Sequence, residues 1–271
     1  MKTQIDKKRF GPWAVITGAS SGLGKEFARQ IAASGINVVL VARRERLLLD
    51  LGTSLAGEFG VQQRVVALDL SEEGFINRLA EKTNDLDIGL VVSNAGSGSP
   101  GKFLANDILE IEKLLRLNTW THLRIAYHFA AKLCSRQHGG LLFVGAMAAE
   151  IGFPYMVNDA GAKAYVQSFA QGLHAELAPS GVHVTILAPG ATETPVLEKF
   201  GMTPDKMPMK PMSAQQCVSE GLGALITNRS MIIPGRLNRT MNAVVPTTMV
   251  RRMMGKLFEQ SLAAKDLQPK P

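Results

Sequence analysis

Two residues four apart pose the first chemical question. In VNDAGAKAY, residues 157–165, Asp159 precedes Lys163 by about one helical turn. On an exposed helix this is an ordinary i,i+4 ion pair, and Asn158 and Asp159 are good helix N-cap residues. In a cleft, the same carboxylate can take a proton or hold a cation beside an amine of adjustable pKa. A second group of residues binds rather than reacts. TGASSGLGKEFA (17–28) carries Gly18, Gly22 and Gly24 directly after a β-branched run and at the opening of a helical one. That order suits a dinucleotide loop, with a tight turn, close backbone approach to a pyrophosphate and a helix N-terminus facing the anion.

These residues need a scaffold, and the chain supplies an alternating one. WAVITGA (13–19), NVVLVA (37–42), RVVALDL (64–70), IGLVVSNAG (88–96), GLLFVGA (140–146), VHVTILAPG (182–190) and SMIIPG (230–235) read as buried strands. Between them, apolar residues recur at helical spacing: Phe27 and Ile31 with Ser34; Leu114, Leu117, Leu123 and Phe129; Phe169, Leu173 and Leu177. Seven strands separated by helices imply parallel pairing through crossovers, hence one doubly wound α/β domain over residues 1–271. Ligands on such a sheet sit beyond the carboxyl ends of the strands, where strand order reverses.

Bulk composition narrows the function classes. No apolar run approaches the roughly 20 residues of a membrane helix, and MKTQIDKKRFGPW lacks the apolar segment of a signal peptide. Cytoplasmic location is the expectation. Cys134 and Cys217 are far apart, and the five histidines lack ligand spacing, so neither a disulfide framework nor a metal is expected. The 30 basic residues exceed the 23 acidic ones, clustering at RRER (43–46) and in the tail at Arg236, Arg239, Arg251, Arg252 and Lys256. No nucleic-acid-binding signature accompanies them, so nucleic acid is not an expected partner. The tail, from about 236 to 271, reads as packing on the body or a partner subunit, with an anionic membrane surface as the weaker alternative because Pro246 interrupts it.

Taken in order, Thr17-Gly18-x-x-x-Gly22-x-Gly24, Asp69-Leu70, Asn94-Ala95-Gly96, Asn118, Lys163 and Pro189-Gly190 resemble the short-chain dehydrogenase/reductase family over roughly residues 12–235. The resemblance implies a nicotinamide coenzyme. Asp69 and Leu70 would border its adenine, and the Asn94-Ala95-Gly96 backbone would line it. Lys163 would meet the nicotinamide ribose hydroxyls and Thr194 the carboxamide. Ser20, Ser21, Leu23, Pro189, Gly190 and Thr192 complete the expected contacts. Asn118 would hold a helix kink and a water near the lysine. After the second strand the chain reads Val41-Ala42-Arg43-Arg44, with no carboxylate for a ribose 2′-hydroxyl. Arg43 can fork onto a 2′-phosphate, with Ser20 and Lys25 assisting, so NADP is expected; the alternative leaves Arg43 and Arg44 as solvated helix-start residues. Family helix faces around 114–133 and 156–178 imply a homodimer or homotetramer.

The reacting residues depart from the pattern. The family tyrosine falls at Asp159, and the serine thirteen residues earlier falls at Ala146. Tyr155 is the alternative tyrosine, but Pro154 before it suits a loop or first turn. A carboxylate opposes a developing alkoxide by roughly 4 kcal/mol at about 4 Å and an effective dielectric near 20. Ordinary carbonyl reduction is therefore disfavoured. The expectation is a divergent oxidoreductase with Asp159, Lys163 and Asn118 at the reacting end, taking an apolar or cationic substrate such as an imine. Two alternatives stay open: a lyase, isomerase or dehydratase using Asp159 as base, and a catalytically inactive nucleotide-binding protein. Ser97, Ser99 and Glu193 are further pocket candidates, and KFGMTPDKMPMKPM (199–212), within a substrate segment at about 191–212, reads as a cover over an apolar ligand.

Overall fold

The computed structural model describes residues 5–200 and 210–266. The cover segment expected at 199–212 thus lies largely outside the described residues. All seven expected strands form: β1 (Trp13–Thr17), β2 (Asn37–Ala42), β3 (Gln63–Ala67), β4 (Ile88–Ser93), β5 (Gly139–Val144), β6 (Val182–Leu187) and β7 (Met231–Ile232). They pair in parallel in the order β3-β2-β1-β4-β5-β6-β7. The order reverses between β1 and β4, so the crevice beyond their carboxyl ends is where a ligand is expected.

The strands read as unbroken apolar runs because both faces are covered. Ile16, Leu40, Val92 and Leu187 face one layer, packed by Phe27 and Ile31 of α2 (Gly22–Ala32), Leu48 and Leu55 of α3 (Glu45–Phe59), and Leu222 of α9 (Ala214–Ile226). Val15, Val39, Val91 and Phe143 face the other, against Leu79 of α4 (Phe75–Glu81), Phe129 of α6 (Thr121–Arg136) and Val166 of α7 (Val157–Leu177). Neighbouring residues on one strand thus serve opposite layers, as the strand period of two requires.

One expected helical stripe is corrected. Leu114, Leu117, Leu123 and Phe129 do not lie on one continuous helix face. α5 (Ile108–Leu115) passes into a π-turn over Arg116–Trp120 before α6 begins. The wider turn shifts the register, so Ile125, Phe129 and Leu133 are buried whereas Leu117 is only partly so. The residue it turns inward is Asn118, which is fully buried.

Beyond β6 come α8 (Pro195–Lys199), α9, then α10 (Arg236–Val244) and α11 (Thr247–Asp266), the last two divided at Pro246. α11 lies on the body of the protein. Its Phe258 is buried, and Arg251 Nη2 donates to the Ile151 carbonyl at 2.6 Å. Among the described residues, no helix is long and apolar enough to cross a membrane.

Candidate active site

The β1 side of the crevice is a turn made by glycines. Gly18 and Gly22 adopt φ of +68° and +53°, where a β-carbon strains the backbone. Gly24 is needed for space: a β-carbon there would stand 2.2 Å from the Gly18 carbonyl oxygen and 2.7 Å from Asn94 Nδ2. Ser21 precedes α2 without making a side-chain cap, which leaves the first-turn N–H groups and the positive helix end for an anion. Leu23 packs against the core behind the turn. Thr17 ties the turn to the opposite wall. Its fully buried hydroxyl oxygen accepts the N–H groups of Asn94 and Ala95 at 2.9 and 3.0 Å, and Asn94 Nδ2 donates to the Thr17 carbonyl at 2.9 Å.

Two guanidinium groups edge the same end. Arg44 Nη2 donates to Ser20 Oγ at 2.8 Å and Ser21 Oγ at 3.0 Å. Arg44 is the N-cap of α3 and both arginines are exposed, as the alternative sequence reading expects, yet its guanidinium is tied to the loop serines. Arg43 Nη1 lies 3.9 Å from Asp69 Oδ2. Burial pushes the Asp69 carboxyl up, but the Ser71 hydroxyl and N–H, with Arg43 and Lys113, hold it below the usual carboxylate range. Leu70 is buried beside it, its carbonyl accepting the Thr121 hydroxyl at 2.7 Å. A cradle that a single β-carbon would fill, a helix end and two cations fit an anionic dinucleotide.

The β4 wall continues towards the reacting end. A β-carbon on Gly96 would lie 3.1 Å from Asn118 Oδ1 and 3.4 Å from Lys163 Nζ, so this loop brings both side chains to one place. Asn118 clamps Ser97, donating to its carbonyl at 2.7 Å and accepting its N–H at 3.0 Å. Lys163 Nζ donates to the Val144 carbonyl at 2.8 Å. Burial lowers the Lys163 pKa to about 8, while the Asp159 charge acts in the opposite direction. Beneath them lies a pair that the sequence did not single out. Fully buried His122 meets Ser93 Oγ through Nδ1 at 2.7 Å, and burial together with the Lys163 charge lowers its pKa to about 3 against a backbone bond to Ala95.

The strand β6 loop closes the third side. The Pro189 carbonyl accepts the Met147 N–H at 2.8 Å, the Thr192 hydroxyl donates to the Gly190 carbonyl at 3.0 Å, and the Thr194 hydroxyl donates to the Thr192 carbonyl at 3.3 Å. The Thr194 side chain reaches the Gly22 turn, standing 3.4 Å from where a β-carbon on Gly22 would be. Met212 N–H to the Ala191 carbonyl and Glu193 N–H to the Met212 carbonyl pin the two ends of the 191–212 segment together. The Glu193 side chain is exposed.

Asp159 is 8% exposed, so the exposed ion-pair reading does not apply. Nor is it the N-cap; α7 starts at Val157 with Met156 before it, placing Asp159 in the first turn, where the helix dipole favours an anion. Its Oδ2 accepts the Ser99 N–H at 3.4 Å, and Ser99, Phe103, Ile111 and Tyr155 line the same cleft. Ala146 offers no side-chain donor, and its backbone N–H donates to Gln167 Oε1 at 3.2 Å. Tyr155 does not stand in for the tyrosine. It lies before the helix with φ of +64°, and its hydroxyl donates to Glu259 Oε1 of α11 at 3.2 Å. Among the described residues, no three His, Cys, Asp or Glu side chains are grouped to hold a metal.

Known proteins resemble this chain in sequence and fold. The family model described as short chain dehydrogenase matches residues 12–204. A 7beta-hydroxysteroid dehydrogenase of Clostridium sardiniense is 28% identical over 257 residues, covering 93% of this chain and 98% of its own. A very-long-chain 3-oxoacyl-CoA reductase of Podospora anserina is 37% identical over 179 residues, 64% of this chain, which spans about half (53%) of that relative's length. A solved short-chain dehydrogenase from Sphingobium yanoikuyae in complex with NADPH superposes with a TM-score of 0.77 at 28% identity, covering 96% of this chain and 98% of that one. With the family model matched over residues 12–204, the chain belongs to the short-chain dehydrogenase/reductase family of oxidoreductases.

Proposed function

We propose that this protein is an NADP(H)-dependent oxidoreductase whose substrate carries its positive charge at a carbon–nitrogen double bond. Arg43 and Arg44 support the choice of NADP over NAD: they bring two cations directly after β2, and the Sphingobium relative is an NADPH complex. The bound coenzyme would supply or accept the hydride at the substrate carbon. Gly18, Gly22 and Gly24 would admit its pyrophosphate, Asp69 and Leu70 would flank its adenine, and Lys163 with Asn118 would hold the reacting end.

The observation that carries the substrate assignment is the buried carboxylate of Asp159, with the methyl of Ala146 as its companion. Reduction of a ketone builds negative charge on oxygen and needs a proton donor, and an anion opposes both. An iminium carbon accepts hydride without a proton at the reacting atom: the C=N π pair moves onto nitrogen, and a neutral amine results. Asp159 would keep an imine in its protonated, electrophilic form. In the reverse direction it would stabilise the cation that develops as an amine loses hydride.

The test is NADPH oxidation with cyclic imines beside ketones of matched shape. The parent should turn over the imines and leave the ketones slow, and Asp159→Asn should lower imine kcat/KM by about a hundredfold or more with NADPH affinity unchanged. Faster turnover of ketones, or tight NADPH binding with no imine turnover, would overturn the reading.

A further inference from the structure

Gly98 lies buried in the loop after β4, and its missing side chain is informative. A β-carbon on it would stand 2.5 Å from Phe200 Cζ, 2.9 Å from Phe200 Cε1 and 3.1 Å from Asp159 Oδ1. The loop therefore meets the Cε1–Cζ edge of an aromatic ring and a carboxylate oxygen at one residue without a side chain, which brings the two groups close together. Phe200 directly follows α8, 41 residues beyond Asp159 in the chain, and its backbone is held on both sides. Its N–H donates to the carbonyls of Val196 and Leu197, each at 3.1 Å, and its carbonyl accepts the Ser261 hydroxyl of α11 at 2.6 Å.

α11 is in turn fastened to the segment that leads into Asp159. Arg251 donates to the carbonyls of Ile151 and Gly152, and Tyr155 donates to Glu259. Gly255 packs against Pro154, whose Cγ would lie 3.2 Å from a β-carbon on that glycine. The C-terminal helix thus positions both the ring and the loop before the carboxylate. An aromatic ring near a buried anion is a pairing that recognises an organic cation, because the π face of the ring and the carboxylate attract the same ammonium while the ring also accepts its alkyl groups.

We propose that Phe200 and Asp159 form an organic-cation subsite for an alkylated ammonium or iminium nitrogen, with Ser261 of α11 as the positioning residue for Phe200. The inference rests on the assignment of Asp159 to the substrate side, and its test is an equilibrium measurement that needs no turnover. Choline and its uncharged isostere 3,3-dimethylbutan-1-ol are titrated calorimetrically into the protein, with and without saturating NADPH.

The parent should prefer choline by tenfold or more. Phe200→Leu keeps apolar bulk while removing the π face, so it should weaken choline about three- to thirtyfold and leave the alcohol unchanged. Gly98→Ala, which displaces the ring, should act in the same direction. Ser261→Ala should weaken choline severalfold without altering NADPH affinity. Equal binding of the two probes by the parent, or an undiminished preference in Phe200→Leu, would overturn the subsite. Selective choline binding without imine turnover would leave the subsite standing and remove the redox assignment. Imine turnover without selective binding would do the reverse.

Discussion

The two ends of the crevice are built by different means. At the nucleotide end, the contacts come from short loops at the tips of adjacent strands, and backbone atoms do most of the work. Gly24 sits against the Gly18 carbonyl, and Thr17 bonds the N–H groups of Asn94 and Ala95. At the substrate end, the side chains of Asp159, Phe200 and Ser261 converge around Gly98, each from a different part of the chain. A site made of backbone at van der Waals contact admits few residues at each position. A site made of side chains at the ends of separate elements tolerates more exchange at each position.

The sharpest way to break the comparison is to place one methyl group at each end. Gly24→Ala puts a carbon within 2.2 Å of a carbonyl oxygen that the turn cannot move. NADPH affinity should fall by at least about a hundredfold, read by fluorescence titration with folding checked by circular dichroism. Gly161→Ala, between Asp159 and Lys163 on α7, meets nothing within 4 Å. It should raise stability by up to about 1 kcal/mol, since alanine is the better helix former, and leave NADPH affinity unchanged. If the two variants behaved alike, the distinction between the ends would collapse.

A smaller effect sharpens the comparison inside the nucleotide end, where charge rather than backbone decides. Replacing Arg43 and Arg44 together by glutamine should weaken NADPH about ten- to hundredfold and NADH by no more than about threefold, because the loss falls on a 2′-phosphate. An equal loss for both coenzymes would make the arginines general anion attractors. The single variants separate their roles. Arg44 already bonds Ser20 and Ser21 and so should also disturb the glycine turn, whereas Arg43, with only a distant Asp69 partner, should not.

What the sequence made legible follows the same division. The strands and glycine turn are local: burial on both faces imposes continuous apolar runs, and a turn at positive φ imposes glycine. Asn118 was legible as a kink residue through family resemblance, but the π-turn that buries it was not, since a stripe at period 3.6 carries no mark of an extra residue in one turn. Phe200 and Ser261 are 61 residues apart, and no spacing rule links them. Arg44 stands at a helix start, as its position suggests, but its hydrogen-bond partners are two loop serines more than twenty positions earlier, which no local spacing rule reveals. Asp159 was legible by its position in the chain, but its burial depends on the Gly98 loop folding over it.

The smallest expected effect on ligand affinity concerns the floor that both ends share. His122, behind the π-turn, and Ser93, at the tip of β4, bond at 2.7 Å beneath the Asn94–Gly96 loop, and the imidazole faces the Lys163 charge. In the folded protein its pKa is lowered to about 3, against about 6.5 for the unfolded chain. Between those values the unfolded state holds one more proton than the folded one, so stability rises with pH and is lost as pH falls from about 6.5 towards 3. One such proton costs about 1.4 kcal/mol per pH unit. His122→Gln removes this titration, so the parent's stability advantage over the variant should shrink by roughly that amount between pH 5.5 and 4.5, measured from urea unfolding midpoints at constant slope. A gap that stayed constant with pH would mean that the imidazole takes its proton without unfolding, through solvent reaching the floor of the site. Because this pair holds the loop rather than touching a ligand, the same variant at pH 7.5 should change NADPH affinity and choline affinity together and by less than about threefold. A change confined to one ligand would assign His122 to that end of the crevice alone.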